Sequence, residues 1–152
     1  MNDVDKRILA LLQENADMPI TEISKKVNLS PTPCWARINK LQKQGFITGK
    51  VAVLDRRKIN LGVVAWVQVK TDQHNDEWLR KFDKVVKEMP EVTEFYRLSG
   101  SYDYIMKVLV PSIDKYDDFY KRLTSQIQIT NYITSFSLEE IKYTNVLPLN
   151  YV

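Results

Sequence analysis

From Ser30 to Gly45 the chain carries the start signal, the apolar stripe and the stop signal of one short helix, and no other stretch limits its folding so tightly. Ser30 can cap the helix, and Pro31 follows at the first helical position, where the missing N–H would have had no intrahelical acceptor. Gly45 stands just past the end, where a left-handed residue closes a helix. At about 100° per residue, Cys34, Ile38 and Leu41 share one side. Thr32, Trp35, Ala36, Asn39, Lys40 and Lys43 then point away from it. The spacing predicts a helix from Pro31 to Gln44.

Two more helices precede it. Asp3 is a candidate cap for a helix carrying Val4, Ile8, Leu11 and Leu12 at helical spacing as far as Asn15. After the break at Asp17 to Pro19, Thr21 can cap a short helix with Ile23 and Val27 inward and Lys25 and Lys26 outward, ending near Asn28. Three helices with a tight turn between the last two make a helix-turn-helix over residues 1–49. In that motif the second helix enters a major groove and its N-terminal residues reach base edges.

Charge supports a polyanion as partner. Residues 1–62 hold eleven Lys/Arg against six Asp/Glu, a net +5, whereas residues 63–152 hold eleven against thirteen, a net −2. No acid lies between Glu22 and Asp55, where Lys25, Lys26, Arg37, Lys40, Lys43 and Lys50 are found. Such a run suits a phosphate backbone, although a solvated basic face has the same composition. The candidate DNA contacts are therefore Thr32, Trp35, Ala36 and Asn39 toward bases and Lys25, Lys26, Arg37, Lys40 and Lys43 toward phosphates, with Pro31 in the same interface. Trp35 has a competing role as a ring covering a neighbouring helix. Cys34 lies on the apolar stripe without a base or metal partner and reads as a packed thiol.

The segment Leu29-Ser30-Pro31-Thr32-Pro33-Cys34-Trp35, followed by Arg37 and by Leu41 and Gln44-Gly45-Phe46-Ile47, resembles the Lrp/AsnC (leucine-responsive/asparagine) transcription regulators. The resemblance implies a winged-helix-like DNA-binding domain joined to an amino-acid-binding regulatory domain.

The remainder reads independently as a second domain. Lys50 to Leu54 has strand character, and residues 50–62 form a connector closed by Gly62. Val63 to Lys70 alternates as a strand. Asn75 to Met89 places Trp78, Phe82, Val85 and Val86 on one helical face before Pro90 stops it. Val92 to Leu98 and Tyr104 to Val110 are strands. Ser112 to Gln126 is a helix burying Ile113, Tyr116, Phe119, Tyr120 and Leu123, and Ile133 to Tyr143 is the last strand. The order βαββαβ is ferredoxin-like, over residues 63–152, so the chain is α+β. Helices cover one sheet face, and a second copy is the simplest cover for the other. A homodimer, assembling to a tetramer or octamer, is expected.

Ser99-Gly100-Ser101-Tyr102-Asp103-Tyr104 and Glu139-Glu140-Ile141-Lys142 extend the Lrp/AsnC resemblance over nearly the whole chain. It implies an effector site at the turn Gly100, Ser101, Tyr102 and Asp103, near an interface between dimers. There, amide N–H groups could hold an α-carboxylate and Asp103 the ammonium, with Thr130 and Thr134 adding polar contacts. An ordinary hairpin turn would use the same residues. Ser101 stands where the family's turn usually has Asp, and Gln128 where a Gly is common. Thr32-Pro33-Cys34-Trp35, Ile141-Lys142-Tyr143-Thr144 and Leu147-Pro148 together are similar to a cysteine-responsive branch.

The expected partners are double-stranded DNA, an amino-acid-like effector and further copies of the chain. No cofactor, no catalytic residue and no metal are expected. One cysteine and one histidine, His74, make no zinc site, and His74 reads as a solvated loop residue. Asp117-Asp118 and Glu139-Glu140 are adjacent pairs pointing in different directions, which weighs against an enzyme on this fold. An architectural DNA-binding protein without effector is the other alternative. No apolar run approaches the roughly 20 residues of a membrane span, so the expected location is the cytoplasm.

Overall fold

The computed structural model describes residues 1–73 and 75–152, so His74 and the loop reading made for it lie outside the described residues. Two compact units are present, one comprising Met1–Val53 with Ile141–Val152, the other Leu54–Glu140.

The helical unit contains α1 (Asp3–Glu14), α2 (Ile20–Lys26) and α3 (Pro31–Lys43). Its core is Ile8, Leu9, Ile23, Val27, Cys34, Ile38 and Leu41, with Val4, Leu11 and Leu12 packed at its margin. Helix α1 is capped one residue earlier than the spacing suggests: the Asn2 side chain accepts the Asp5 N–H at 2.9 Å, and Asp3 is already helical. Thr21 does not cap α2 either. The helix begins at Ile20, and Pro19 offers its carbonyl to the N–H groups of Glu22 and Ile23 instead.

Helices α2 and α3 end alike. At Asn28 (φ 56°) and Gly45 (φ 78°) the chain turns left-handed. Leu29 N–H then reaches back to Ser24 O at 2.9 Å and Phe46 N–H to Leu41 O at 3.0 Å, so carbonyls left over by each helix are satisfied. The Asn28 turn sets α3 against α2.

The expected strand Lys50 to Leu54 is not formed. Val51, Val53 and Leu54 are 83%, 63% and 66% exposed, and a strand without a hydrogen-bonded neighbour has nothing to hold its extended backbone. Residues 141–152 also depart from expectation, since they join the helical unit rather than the sheet. The Gln13 side-chain amide pairs with the Leu147 peptide twice, Nε2 donating to Leu147 O at 3.2 Å and Oε1 accepting Leu147 N–H at 2.6 Å. Leu149 packs on the helical core. Gln13→Leu removes both bonds and should cost this unit about 1 kcal/mol. Carboxypeptidase should then trim the variant's tail faster than the parent's; equal trimming rates would show that the amide pair does not hold the tail.

The second unit contains β1 (Val63–Lys70), α4 (Asp76–Lys87), β2 (Val92–Arg97), β3 (Tyr104–Val110), α5 (Ile113–Gln126) and β4 (Asn131–Phe136). The strands form one antiparallel sheet in the order β2-β3-β1-β4, the ferredoxin-like arrangement. Asn75 and Ser112 cap the two helices by accepting the N–H groups of Trp78 and Lys115. Phe82, Val86, Phe119 and Leu123 from the helices meet Ala65, Val67, Val69, Met106, Val108 and Val110 from the sheet. Ile113 is 53% exposed rather than buried, because it opens α5 before the helix reaches the sheet. The last strand stops at Phe136, opposite Ala65, and Ser137 N–H makes one more bond to Val64 O at 2.9 Å. Residues 137–143 have no partner strand there and leave the sheet.

Alternation along the strands assigns Trp66, Gln68, Glu94, Tyr96, Ile105, Lys107, Leu109 and Ile133 to the face away from the helices. On it Lys107 Nζ lies 2.9 Å from Glu94 Oε1 and 5.4 Å from the centre of the Trp66 ring.

Candidate functional site

Burial of Cys34, Ile38 and Leu41 fixes the rotation of α3 and so decides what its other face offers. Pro31, Thr32, Ala36, Lys40 and Lys43 are exposed, Asn39 is half-buried, and the Trp35 ring is 60% exposed. A ring lying over a neighbouring helix would be more covered than this. On α2, Lys25 and Lys26 are exposed, and Lys26 Nζ lies 3.7 Å from Glu22. Lys25, Lys40 and Lys43 have no ion-pair partner among the described residues. The exposed side of α3 therefore carries Lys40 and Lys43 beside polar and aromatic side chains, and α2 adds Lys25.

Arg37 differs from the other candidates. Its Nη1 donates to Asp5 Oδ1 at 2.8 Å, which joins α3 to α1 and already engages the guanidinium with a carboxylate. The helical wheel carried a signal for this pair, because Arg37 flanks the buried stripe where a neighbouring helix must lie. Beside it, burial pushes the Cys34 thiol pKa up, with Arg37 pulling the other way, so a protonated thiol fits the packed role.

In the sheet unit, the turn between β2 and β3 is tied down by its own backbone. Leu98 N–H donates to Asp103 O at 2.7 Å, and Asp103 N–H donates to Val69 O at 2.9 Å. Asp103 Oδ2 accepts Thr71 N–H at 2.8 Å. Ser101 is exposed, Tyr102 is half-buried, and a Cβ at Gly100 would meet nothing within 4 Å, so the turn backbone is open to approach.

Thr130 comes to the same end of the sheet, where its hydroxyl donates to Asp72 Oδ1 at 2.7 Å. Thr134 does not. It pairs with Val67 farther along β1, and its hydroxyl is bonded to the Tyr116 hydroxyl on the helix-covered side. Burial raises the Tyr116 pKa while that bond lowers it. Gln128 contributes its carbonyl, which accepts the Trp78 indole N–H at 3.1 Å. The described residues contain no cluster of three or more potential metal ligands, and no helix among them is long and apolar enough to cross a membrane.

Comparison with known proteins finds a family model for each half of the chain. Residues 1–48 match the model of a winged helix-turn-helix DNA-binding domain, and residues 64–147 that of the Lrp/AsnC ligand binding domain. The chain is 44% identical over 150 residues to the DNA-binding transcriptional activator DecR of Escherichia coli (strain K12), covering 98% of this chain and 99% of that protein. Among solved structures, an AsnC family transcriptional regulator from Agrobacterium tumefaciens superimposes with a TM-score of 0.96 at 47% identity, covering 99% of both chains. A transcriptional regulator of Neisseria meningitidis in complex with L-Met has a TM-score of 0.95 at 32% identity, covering 99% of this chain and 98% of that one.

Proposed function

Because this chain belongs to the Lrp/AsnC family of DNA-binding transcription regulators with a ligand-binding domain, we propose that it reads operator DNA with α3 and answers to an amino acid. Family membership makes it a regulator rather than an enzyme. It acts in the cytoplasm as a homodimer, from which a tetramer or octamer assembles. The outward face of α3 carries the reading: Trp35 is 60% exposed on a helix whose opposite side is closed by Cys34 at 0% and Leu41 at 2%. A large exposed ring between Thr32, Ala36 and Asn39 has a use where base edges and thymine methyl groups meet it. Lys25, Lys26, Lys40 and Lys43 supply the phosphate contacts, and Arg37, held by Asp5, stiffens the helix that presents them.

An amino acid as effector is supported by the L-Met complex of the Neisseria relative. The turn Gly100 to Asp103, with Thr130 at the same sheet end, is where we put it. Open backbone at Gly100 suits a carboxylate, and Asp103 Oδ1, which has no partner among the described residues, suits an ammonium. Asp103→Asn tests this cleanly, since the amide oxygen still accepts Thr71 N–H while the charge is gone. Calorimetric titration of the parent with methionine, leucine and cysteine should find a ligand whose affinity falls at least about tenfold in the variant. Undiminished binding would remove Asp103 from the site. Failure of every amino acid to bind would favour an architectural DNA-binding protein.

A further inference from the structure

Arg97 closes β2 and Tyr104 opens β3, and the two are register partners on the edge of the sheet. Both lie on the helix-covered face, since Phe95, two residues before Arg97, packs in the core. With Leu79, Phe82 and Asp83 of α4 they line a concavity of about 310 Å³. Its floor is aromatic and fixed: the Phe82 ring stands edge-on to Phe95 at 5.2 Å and to Tyr104 at 5.3 Å, while Phe95 and Tyr104 stack at 5.5 Å.

Two polar groups of this lining have no hydrogen-bond or ion-pair partner among the described residues, the Arg97 guanidinium and the Tyr104 hydroxyl. Asp83 is engaged by Lys87 at 2.7 Å, which leaves Arg97 as the uncompensated charge at the rim. A fork of donors beside a phenol over an apolar floor matches a carboxylate attached to a flat or branched hydrocarbon body.

We propose that this pocket is a second ligand site of the sheet unit, separate from the turn, and that it takes a small monocarboxylate with an aromatic or branched apolar body. The carboxylate lies between Arg97 and Tyr104 and the body on Phe82, Phe95 and Leu79. An α-ammonium is not required, because the acid that could meet it, Asp83, already has Lys87; α-keto and α-amino acids of one side chain are both admitted.

Phenylpyruvate and L-phenylalanine are the probes, with benzyl alcohol as the uncharged control, titrated into the intact protein by calorimetry. Trp78, whose ring lies 4.8 Å from Phe82, adds a fluorescence signal. Phenylpyruvate should bind, and benzyl alcohol should bind at least about tenfold more weakly. Arg97→Gln, at an exposed position, should weaken phenylpyruvate about tenfold or more, and Tyr104→Phe, which keeps the ring, by a smaller factor. Asp103→Asn should leave it unchanged, so failure here and failure at the turn are told apart. Absence of binding at millimolar phenylpyruvate would overturn the proposal, as would equal affinity for benzyl alcohol or an unaltered affinity in Arg97→Gln. Binding that Asp103→Asn abolishes would overturn it too, by assigning the ligand to the turn.

Discussion

Raising the salt from about 50 to about 200 mM should weaken operator binding roughly ten-thousandfold if the exposed lysines of α2 and α3 meet phosphates as proposed. Lys25, Lys26, Lys40 and Lys43 are exposed on each helical unit, so a dimer brings about eight cations, each releasing close to one counterion. Lys40→Ala should lower the salt slope and weaken operator and random DNA alike. Trp35→Ala and Asn39→Ala should act differently. Each is expected to cost about 1–3 kcal/mol on the operator and little on random DNA, since base edges are where sequence is read. Electrophoretic mobility or anisotropy titrations over a salt series measure both effects. Equal losses from all three variants on both DNAs, or a slope corresponding to one or two contacts, would dismiss α3 as the reading helix.

The second large effect is expected at the open face of the sheet. Ile105 lies on the inner strand β3, register partner of Gln68 and Tyr96, with Lys107 next to it along the strand and Trp66 and Ile133 across the face. If a second copy covers this face, Ile105→Asp buries a carboxylate whose nearest cation along the strand, Lys107, is already engaged by Glu94, which costs about 3–5 kcal/mol and raises the dimer dissociation constant at least a hundredfold. The variant should fold, because the core lies on the other side of the sheet. Sedimentation should show monomer at micromolar concentration, and operator affinity should fall as the two half-sites lose their link. A dimer of parental stability would mean that another surface makes the contact.

Much of this protein is written in local pattern. The α3 stripe of Cys34, Ile38 and Leu41, the stop at Gly45, and the alternation of Val63 to Lys70 follow from periods of 3.6 and 2.0 residues that any buried helix or strand must obey. The outward set on α3 was legible for the same reason: knowing which side is buried fixes which side is free. For the candidate effector residues, the sequence determined the residues but not their engagements. Asp103 with Thr71, Thr130 with Asp72, and Thr134 with Tyr116 join residues 32, 58 and 18 positions apart.

The failures share one cause. Val51, Val53 and Leu54 have strand propensity, and the segment after Phe136 continues apolar alternation, but a strand exists only where a neighbour offers a ladder. Gln13 and Leu147 hold no local clue to each other, being 134 residues apart, so the return of residues 141–152 to the helical unit is a tertiary fact. Arg97 and Tyr104 likewise look ordinary in the chain, and only the β2–β3 register brings a guanidinium and a phenol to one concavity with Phe82 and Phe95. Thus the sequence by itself determined most of the elements, their buried faces and the basic outward face of α3, all consequences of short-range periodicity. Tertiary structure decided which strands found partners, where the tail lies and which polar groups were left unpaired, because these depend on contacts between residues far apart in the chain.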